Sequence, residues 1–123
     1  SNFLPLSTYA ALLEKSNRKN EADSVMKNAL PMATPLQLLV YGSSLNKMKK
    51  HQEAFKIFKI NYDKNPQEVY ACLGMMMGHY FLDNKKEAIK FGERGKDITA
   101  DAGFKAYFDS LITDMNAGKQ IFK

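Results

Sequence analysis

The sequence predicts an all-α chain, specifically a right-handed α-solenoid of three helix-turn-helix repeats closed by a C-terminal capping helix. Three observations lead to this. Apolar residues recur at helical spacing, with no alternating strand pattern of useful length. Pro5, Pro35 and Pro66 each stand just ahead of such a stretch. Glu53-Ala54-Phe55-Lys56 returns as Glu87-Ala88-Ile89-Lys90, 34 residues later, and Glu21-Ala22 sits 32 residues before Ala54. A chain of 123 residues, 45% hydrophobic and 25% charged, suits one such domain, and at that size a core forms without a metal or disulfide staple. A single repeat domain is expected over residues 5–117, with 1–4 and 118–123 as tails.

The first repeat, residues 5–33, pairs a stripe of Tyr9, Leu12 and Leu13 with one of Val25, Met26, Ala29 and Leu30, separated by the polar gap Ser16 to Asn20. Pro31 ends its second helix, because proline lacks the N–H a helix interior needs. The second repeat, 35–66, opens at Thr34-Pro35-Leu36-Gln37. That spacing places a capping side chain before a proline at the first helical position, with a glutamine three residues after the cap. Its stripes are Leu38, Leu39, Gly42 and Leu45, then Ala54, Phe55, Phe58 and Tyr62. Asn65-Pro66-Gln67-Glu68 has the same box-like spacing and predicts the next helix start. The third repeat, 67–100, carries Leu73, Met76, Met77, Tyr80 and Phe81, then Ala88, Ile89 and Phe91. It has Met76 where Gly42 stood, Gly92 where Phe58 stood and Ala100 where Pro66 stood, and so reads as degenerate. The capping helix, 101–117, begins at Asp101. It presents Phe104, Tyr107, Phe108, Leu111, Ile112 and Met115 on one face and ends at Gly118, before a short basic tail.

A period near 34 with two helices per unit and alanine at the helix crossing resembles the tetratricopeptide repeat over residues 5 to 100. The middle repeat carries most of that pattern in Gly42, Ala54, Phe58 and Pro66. The chain is also similar to the helical C-terminal part of a bacterial family of exported proteins of unknown function, in which a β-rich domain precedes the repeats. The residues that carry this second likeness are Leu13-Glu14-Lys15, Glu21-Ala22-Asp23, Met26 to Pro31, Tyr41-Gly42, Asn84 to Ala88 and Gly118-Lys119. It implies a piece of a longer secreted or periplasmic protein. The opening Ser1-Asn2-Phe3, without methionine or signal-peptide pattern, likewise reads as a processed or engineered fragment.

Residues with site chemistry are few. One cysteine, Cys72, cannot make an internal disulfide framework. His51 and His79 are not spaced as a helical metal pair, so no metal or cofactor is expected. His79 reads as a packing residue and His51 as a solvated turn residue. Gly92-Glu93-Arg94-Gly95-Lys96 lacks the spacing and the Ser or Thr of a phosphate loop and falls inside a helix. Ser43-Ser44 has no activating partner in its pattern. With no apolar run of membrane length and a mean hydropathy of −0.40, a spanning segment is excluded. The chain is read as non-catalytic.

Two surfaces remain. In tetratricopeptide arrays the first helices line a concave groove. The resemblance would place Leu36, Leu39, Ser43 and Asn46 there from the second repeat, and Tyr70, Leu73, Met77 and Tyr80 from the third. Such residues suit a peptide segment or a partner domain; the competing reading puts Leu73 and Met77 in the core. The chaperone-binding subclass grips a terminal carboxylate with cationic groove residues. The matching positions here are Ser7, Ala11, Val40, Tyr70 and Gly74, so that grip is not expected. The second surface follows from a net charge of +5. Lys15, Arg18 and Lys19, then Lys47, Lys49 and Lys50, then Lys85 and Lys86 fall in the turns within each repeat. They form either a basic ridge or ordinary solvated turns. No aromatic side chains interleave with them, so nucleic acid is not expected as a partner. The function expected is a protein-interaction scaffold. The alternative is a buttress that docks on the missing N-terminal domain of a parent protein.

Overall fold

The computed structural model of the chain describes residues 3–122. Among them are seven α-helices and no strand: α1 Phe3–Lys15, α2 Lys19–Ala29, α3 Pro35–Lys47, α4 His51–Lys64, α5 Val69–Phe81, α6 Lys85–Ile98 and α7 Ala102–Asn116. A 3-10 turn, Leu30–Met32, follows α2 and contains Pro31. The all-α class read from the sequence is therefore observed, in a helical repeat-like order. The chain divides into two compact units, one reaching to Leu38 and one running from Leu39 onward.

The turns within helix pairs are built alike. Asn17, Lys49 and Asp83 adopt φ of 61°, 61° and 63°, and Gly118 adopts φ of 75° after α7. At each, the next residue's N–H reaches back across the turn: Arg18 to Leu13 O, Lys50 to Leu45 O, Asn84 to His79 O and Lys119 to Asp114 O, at 2.8 to 2.9 Å. The left-handed residue also bonds three positions back, to Glu14, Asn46, Tyr80 and Met115 respectively. This double bond is the Schellman helix stop, which satisfies carbonyls a helix end would leave orphaned. The carbonyls of Arg18, Lys50 and Asn84 then accept from the N–H groups of Ala22, Ala54 and Ala88. The three alanines singled out by period occupy one and the same position in the second helices, and all three are buried.

Helix starts agree in part. Thr34 Oγ1 accepts from Gln37 N at 3.2 Å, and Gln37 Oε1 accepts from Thr34 N at 3.0 Å, which is the reciprocal capping box expected at Pro35. Asp101 caps α7 by accepting from Phe104 N at 3.0 Å. The expected start at Pro66 is corrected: α5 begins at Val69, and Pro66-Gln67 form a turn closed by Glu68 N–H to Asn65 O. The Asn65 side chain is turned toward the helix behind it instead, its Nδ2 donating to Asn61 Oδ1 at 3.0 Å. α1 begins at Phe3, inside the stretch read as a tail, and Phe3 is buried.

In the first unit Ala10, Leu13 and Ala22 form a buried cluster, with Val25 and Met26 packed against it. Small residues on both helices allow α1 and α2 to approach closely. Tyr9 and Leu12, read as part of the apolar stripe, are exposed instead.

The second unit is organised by large side chains set against glycines. Phe58, fully buried on α4, lies against Gly42 of α3 and Gly74 and Gly78 of α5. A Cβ at Gly42 would overlap the Phe58 ring, and one at Gly74 would stand 2.8 Å from its Cδ1. One repeat later the sizes are exchanged. A Cβ at Gly92 of α6 would stand 2.9 Å from Met76 Cε of α5, and one at Gly95 would stand 2.5 Å from Phe108 Cζ of α7. What read as degeneration at Met76 and Gly92 is a paired swap: small-against-large in one repeat becomes large-against-small in the next. α7 buries Phe108, Leu111, Ile112 and Met115, as its stripe requires, while Tyr107 is exposed.

Candidate functional site

A cavity of about 720 Å³ opens within the second unit. α3 contributes Ser43, Asn46 and Lys47 to its wall, the following turn contributes Lys49, and the first residue of α4 is His51. α5 supplies Met77 and Phe81, and Ile121 and Phe122 enter from the segment after α7. Ser43 Oγ donates to Met77 Sδ at 3.4 Å, tying α3 to α5 at positions 34 residues apart. Asn46 Oδ1 and His51 Nδ1 are 2.8 Å apart. The His51 ring stacks on Phe81 with centroids 5.0 Å apart and planes 5° from parallel. His51 is thus a wall residue, not the solvated turn residue read from the sequence. Its position at the start of α4 aims the ring back over α5. Asn46 is only 6% exposed, and its Nδ2 has no hydrogen-bond partner.

The eight residues read as groove residues do not share one surface. Ser43, Asn46 and Met77 meet at the cavity. Tyr80 adjoins it by contact with Phe81 and Phe122. Leu39 and Leu73 are buried in the core, Leu36 is exposed at the start of α3, and Tyr70 faces Phe104 of α7 edge-on at 5.8 Å. Tyr70 and Tyr80 are ten residues apart along α5, about 15 Å of rise, so α7 covers one and the cavity the other. Sequence reasoning missed His51, Phe81, Ile121 and Phe122. His51 and Phe81 carried a detectable signal, since each flanks a turn between paired helices, His51 following the α3–α4 turn and Phe81 preceding the α5–α6 turn. Phe122 carried none beyond being an aromatic residue in a basic tail.

Of the basic residues read as lying in the turns, only Arg18, Lys49 and Lys50 are in the turns themselves, and the others occupy the adjoining helix ends. Lys15 and Lys47 end α1 and α3, Arg18 and Lys50 precede α2 and α4, Lys19 opens α2, and Lys85 and Lys86 open α6. Arg18 is paired with Glu21, its Nε donating to Oε1 at 3.0 Å. Lys47 and Lys49 stand apart from the others because both also line the cavity.

Cys72 and His79 do not line the cavity. Burial pushes the Cys72 thiol above its ordinary range, against the pull of the Arg94 guanidinium. Arg94 itself donates to Pro66 O at 3.0 Å and lies over the Tyr62 ring. Burial lowers His79 below its ordinary value, opposed by Glu87, and its ring is stacked on Phe91 and edge-on to Phe55, as expected of a packing residue. Among the described residues no His, Cys, Asp and Glu side chains group as a metal site, and no helix is long and apolar enough to cross a membrane.

No protein-family model, no curated protein and no solved structure matches the chain.

Proposed function

We propose that this chain is a non-catalytic interaction module, a right-handed solenoid of tetratricopeptide-like helix pairs that binds a peptide segment of a protein partner in the cavity between α3 and α5. The observation that carries the reading is the make-up of the cavity wall. Met77, Phe81 and the stacked His51 offer adaptable apolar and aromatic contact, while Ser43 and Asn46 offer hydrogen bonds beside them. That is the combination extended peptides use: side chains in pockets and backbone on polar groups. The equivalent turns and equivalent buried alanines support the repeat interpretation. The test is selection of a random peptide library against the chain. Enriched peptides should lose about tenfold or more in affinity against Ser43→Trp, which fills the cavity from its wall, with helicity retained. Enrichment of nothing, or of peptides indifferent to that change, overturns the reading.

A second reading, the docking of this chain on an N-terminal domain of a longer parent, draws on one different observation. Leu4, Tyr9 and Leu12 on α1 are all about half exposed, more apolar surface than a short helix usually leaves to water. Under that reading Leu12→Lys abolishes association with the separately expressed domain and leaves peptide binding at the cavity unchanged.

A further inference from the structure

The segment after α7 behaves unlike the segments that follow the other Schellman stops. After Lys49 and Asp83 the chain enters a second helix at once, whereas after Gly118 residues 119–122 form no helix. They turn back onto the cavity instead. Ile121 N–H donates to the Tyr80 hydroxyl at 3.4 Å. The Phe122 ring meets Tyr80 edge-on at 5.5 Å and tilts against Phe81 at 6.5 Å. Phe122 is only 8% exposed, although the stretch carrying it has no regular structure of its own. This is how a bound peptide would sit, with one backbone hydrogen bond and one buried aromatic anchor.

The fit is incomplete in two respects, and both describe a better occupant. Asn46 Nδ2 remains a buried donor without an acceptor, a costly state that a peptide oxygen would relieve. The wall also carries Lys47 and Lys49, and the segment brings Lys119 and Gln120, neither of them acidic, ahead of its apolar pair. Lys119 finds its nearest counter-charge on Asp114 of α7, at 3.9 Å.

Resting on the peptide-binding reading above, we propose that Ile121-Phe122 is an internal occupant of the Tyr80–Phe81 side of this site, walling the open cavity from the place that a partner's anchor would take. The partner that displaces it is an extended peptide carrying an aliphatic–aromatic pair beside acidic residues. The segment is tethered, so it competes at the high effective concentration of a short linker, and a free peptide binds only the fraction of molecules in which it has left. An acidic flank gains attraction from Lys47 and Lys49 that the chain's own lysine and glutamine forgo.

The test uses two fluorescein-labelled synthetic peptides, Asp-Asp-Ile-Phe and Lys-Gln-Ile-Phe, titrated with the full chain and followed by anisotropy. The acidic probe should bind the tighter of the two, and its advantage should vanish at high salt and in Lys47→Glu with Lys49→Glu. Phe122→Ala should raise affinity for the acidic probe by about tenfold. If that variant loses helicity, Ile121→Ser replaces it with the same expected direction. Equal binding to the native chain and to Phe122→Ala, with binding lost in Ser43→Trp, overturns the internal occupant and leaves the peptide-binding reading standing. Failure of Phe122→Ala to bind the acidic probe at all overturns the proposed ligand chemistry, and the library selection then decides the broader reading on its own. A native chain that dimerises, with Phe122→Ala monomeric, overturns internal occupancy in favour of exchange between two copies.

Discussion

Gly42 and Gly92 stand at neighbouring kinds of helix crossing and differ in what faces them, so the same substitution should have different costs. A methyl group at Gly42 meets the Phe58 ring, which is itself wedged against Gly74 and Gly78. A rigid ring held on three sides cannot retreat. Gly42→Ala should therefore be destabilising: overpacking costs roughly 1–3 kcal/mol, against a helix-propensity gain of about 1 kcal/mol. At Gly92 the nearest atom is Met76 Cε, the far end of a flexible side chain. Gly92→Ala should then fall within about 1 kcal/mol of neutral, and urea unfolding of the two variants side by side checks the contrast. Ala54, fully buried at the crossing position, should not accept leucine without a loss of roughly 1–3 kcal/mol. An unchanged melting temperature would place the repeat register elsewhere. His79 adds a pH dependence whose sign follows from its lowered value. Its ordinary value is 6.5, and burial holds the folded state below that. The unfolded chain consequently takes up the proton first as pH falls. The contribution of His79 to stability is intact above about 6.5 and is lost as pH drops through the folded value. His79→Phe should flatten the unfolding free energy across that interval.

At the scale of elements, α7 determines whether the last helix pair is sealed. It buries Phe108 against Gly95 and places Leu111, Ile112 and Met115 beneath it, while Lys96 of α6 bridges to Asp109 at 2.9 Å on the exposed side. Phe108→Asp with Leu111→Asp would put two carboxylates into that seam, where charge is poorly tolerated. The variant should self-associate or melt early, and light scattering together with far-UV melting distinguishes it from a stable monomer. The ends of the element can be probed more gently. Asp101→Ala removes the bond to Phe104 N and should cost about 1 kcal/mol. α7 also has the features of a first helix in the repeat-like order, because it ends in the stop that α1, α3 and α5 share. The sequence marked the apolar stripe and both boundaries of this helix. It could not mark Tyr70–Phe104, because that pair belongs to two elements and periodicity reports only one at a time.

At the scale of the whole molecule, binding at the cavity and binding at the lysine-rich turns predict different responses to salt. The cavity wall is mainly apolar and aromatic, so affinity for a neutral peptide should change little as ionic strength rises. Attraction to Lys85 and Lys86 at the start of α6 would weaken steeply over the same range. A partner that survives Phe81→Ala but is lost with Lys49→Glu and Lys85→Glu would move the functional surface from the cavity to the turns. Lys49 contributes to both surfaces, so Lys85→Glu alone is the cleaner control.

The helices, their pairing and the punctuation between them were legible along the chain, because these depend on neighbours within a few residues or on the repeat period. The capping box at Thr34 and Gln37, the stop at Gly118 and the 34-residue return of Ala54 at Ala88 are all local or periodic events. The missed start at Pro66 shows that a box-like spacing does not suffice: the Asn65 side chain turns back to Asn61 on the preceding helix, and Pro66-Gln67 close a turn before α5 begins. Packing between helices set which apolar residues face the core, which face the cavity and which face water. Leu73 and Met77 share a helix and a chemistry, yet one is buried and the other lines a chamber. The difference lies in what α3 and the segment after α7 bring to each, and such contacts between distant parts of a chain leave no period in it. Phe122 is the extreme case: a single aromatic residue in an irregular stretch, whose partners Tyr80 and Phe81 lie some forty residues earlier.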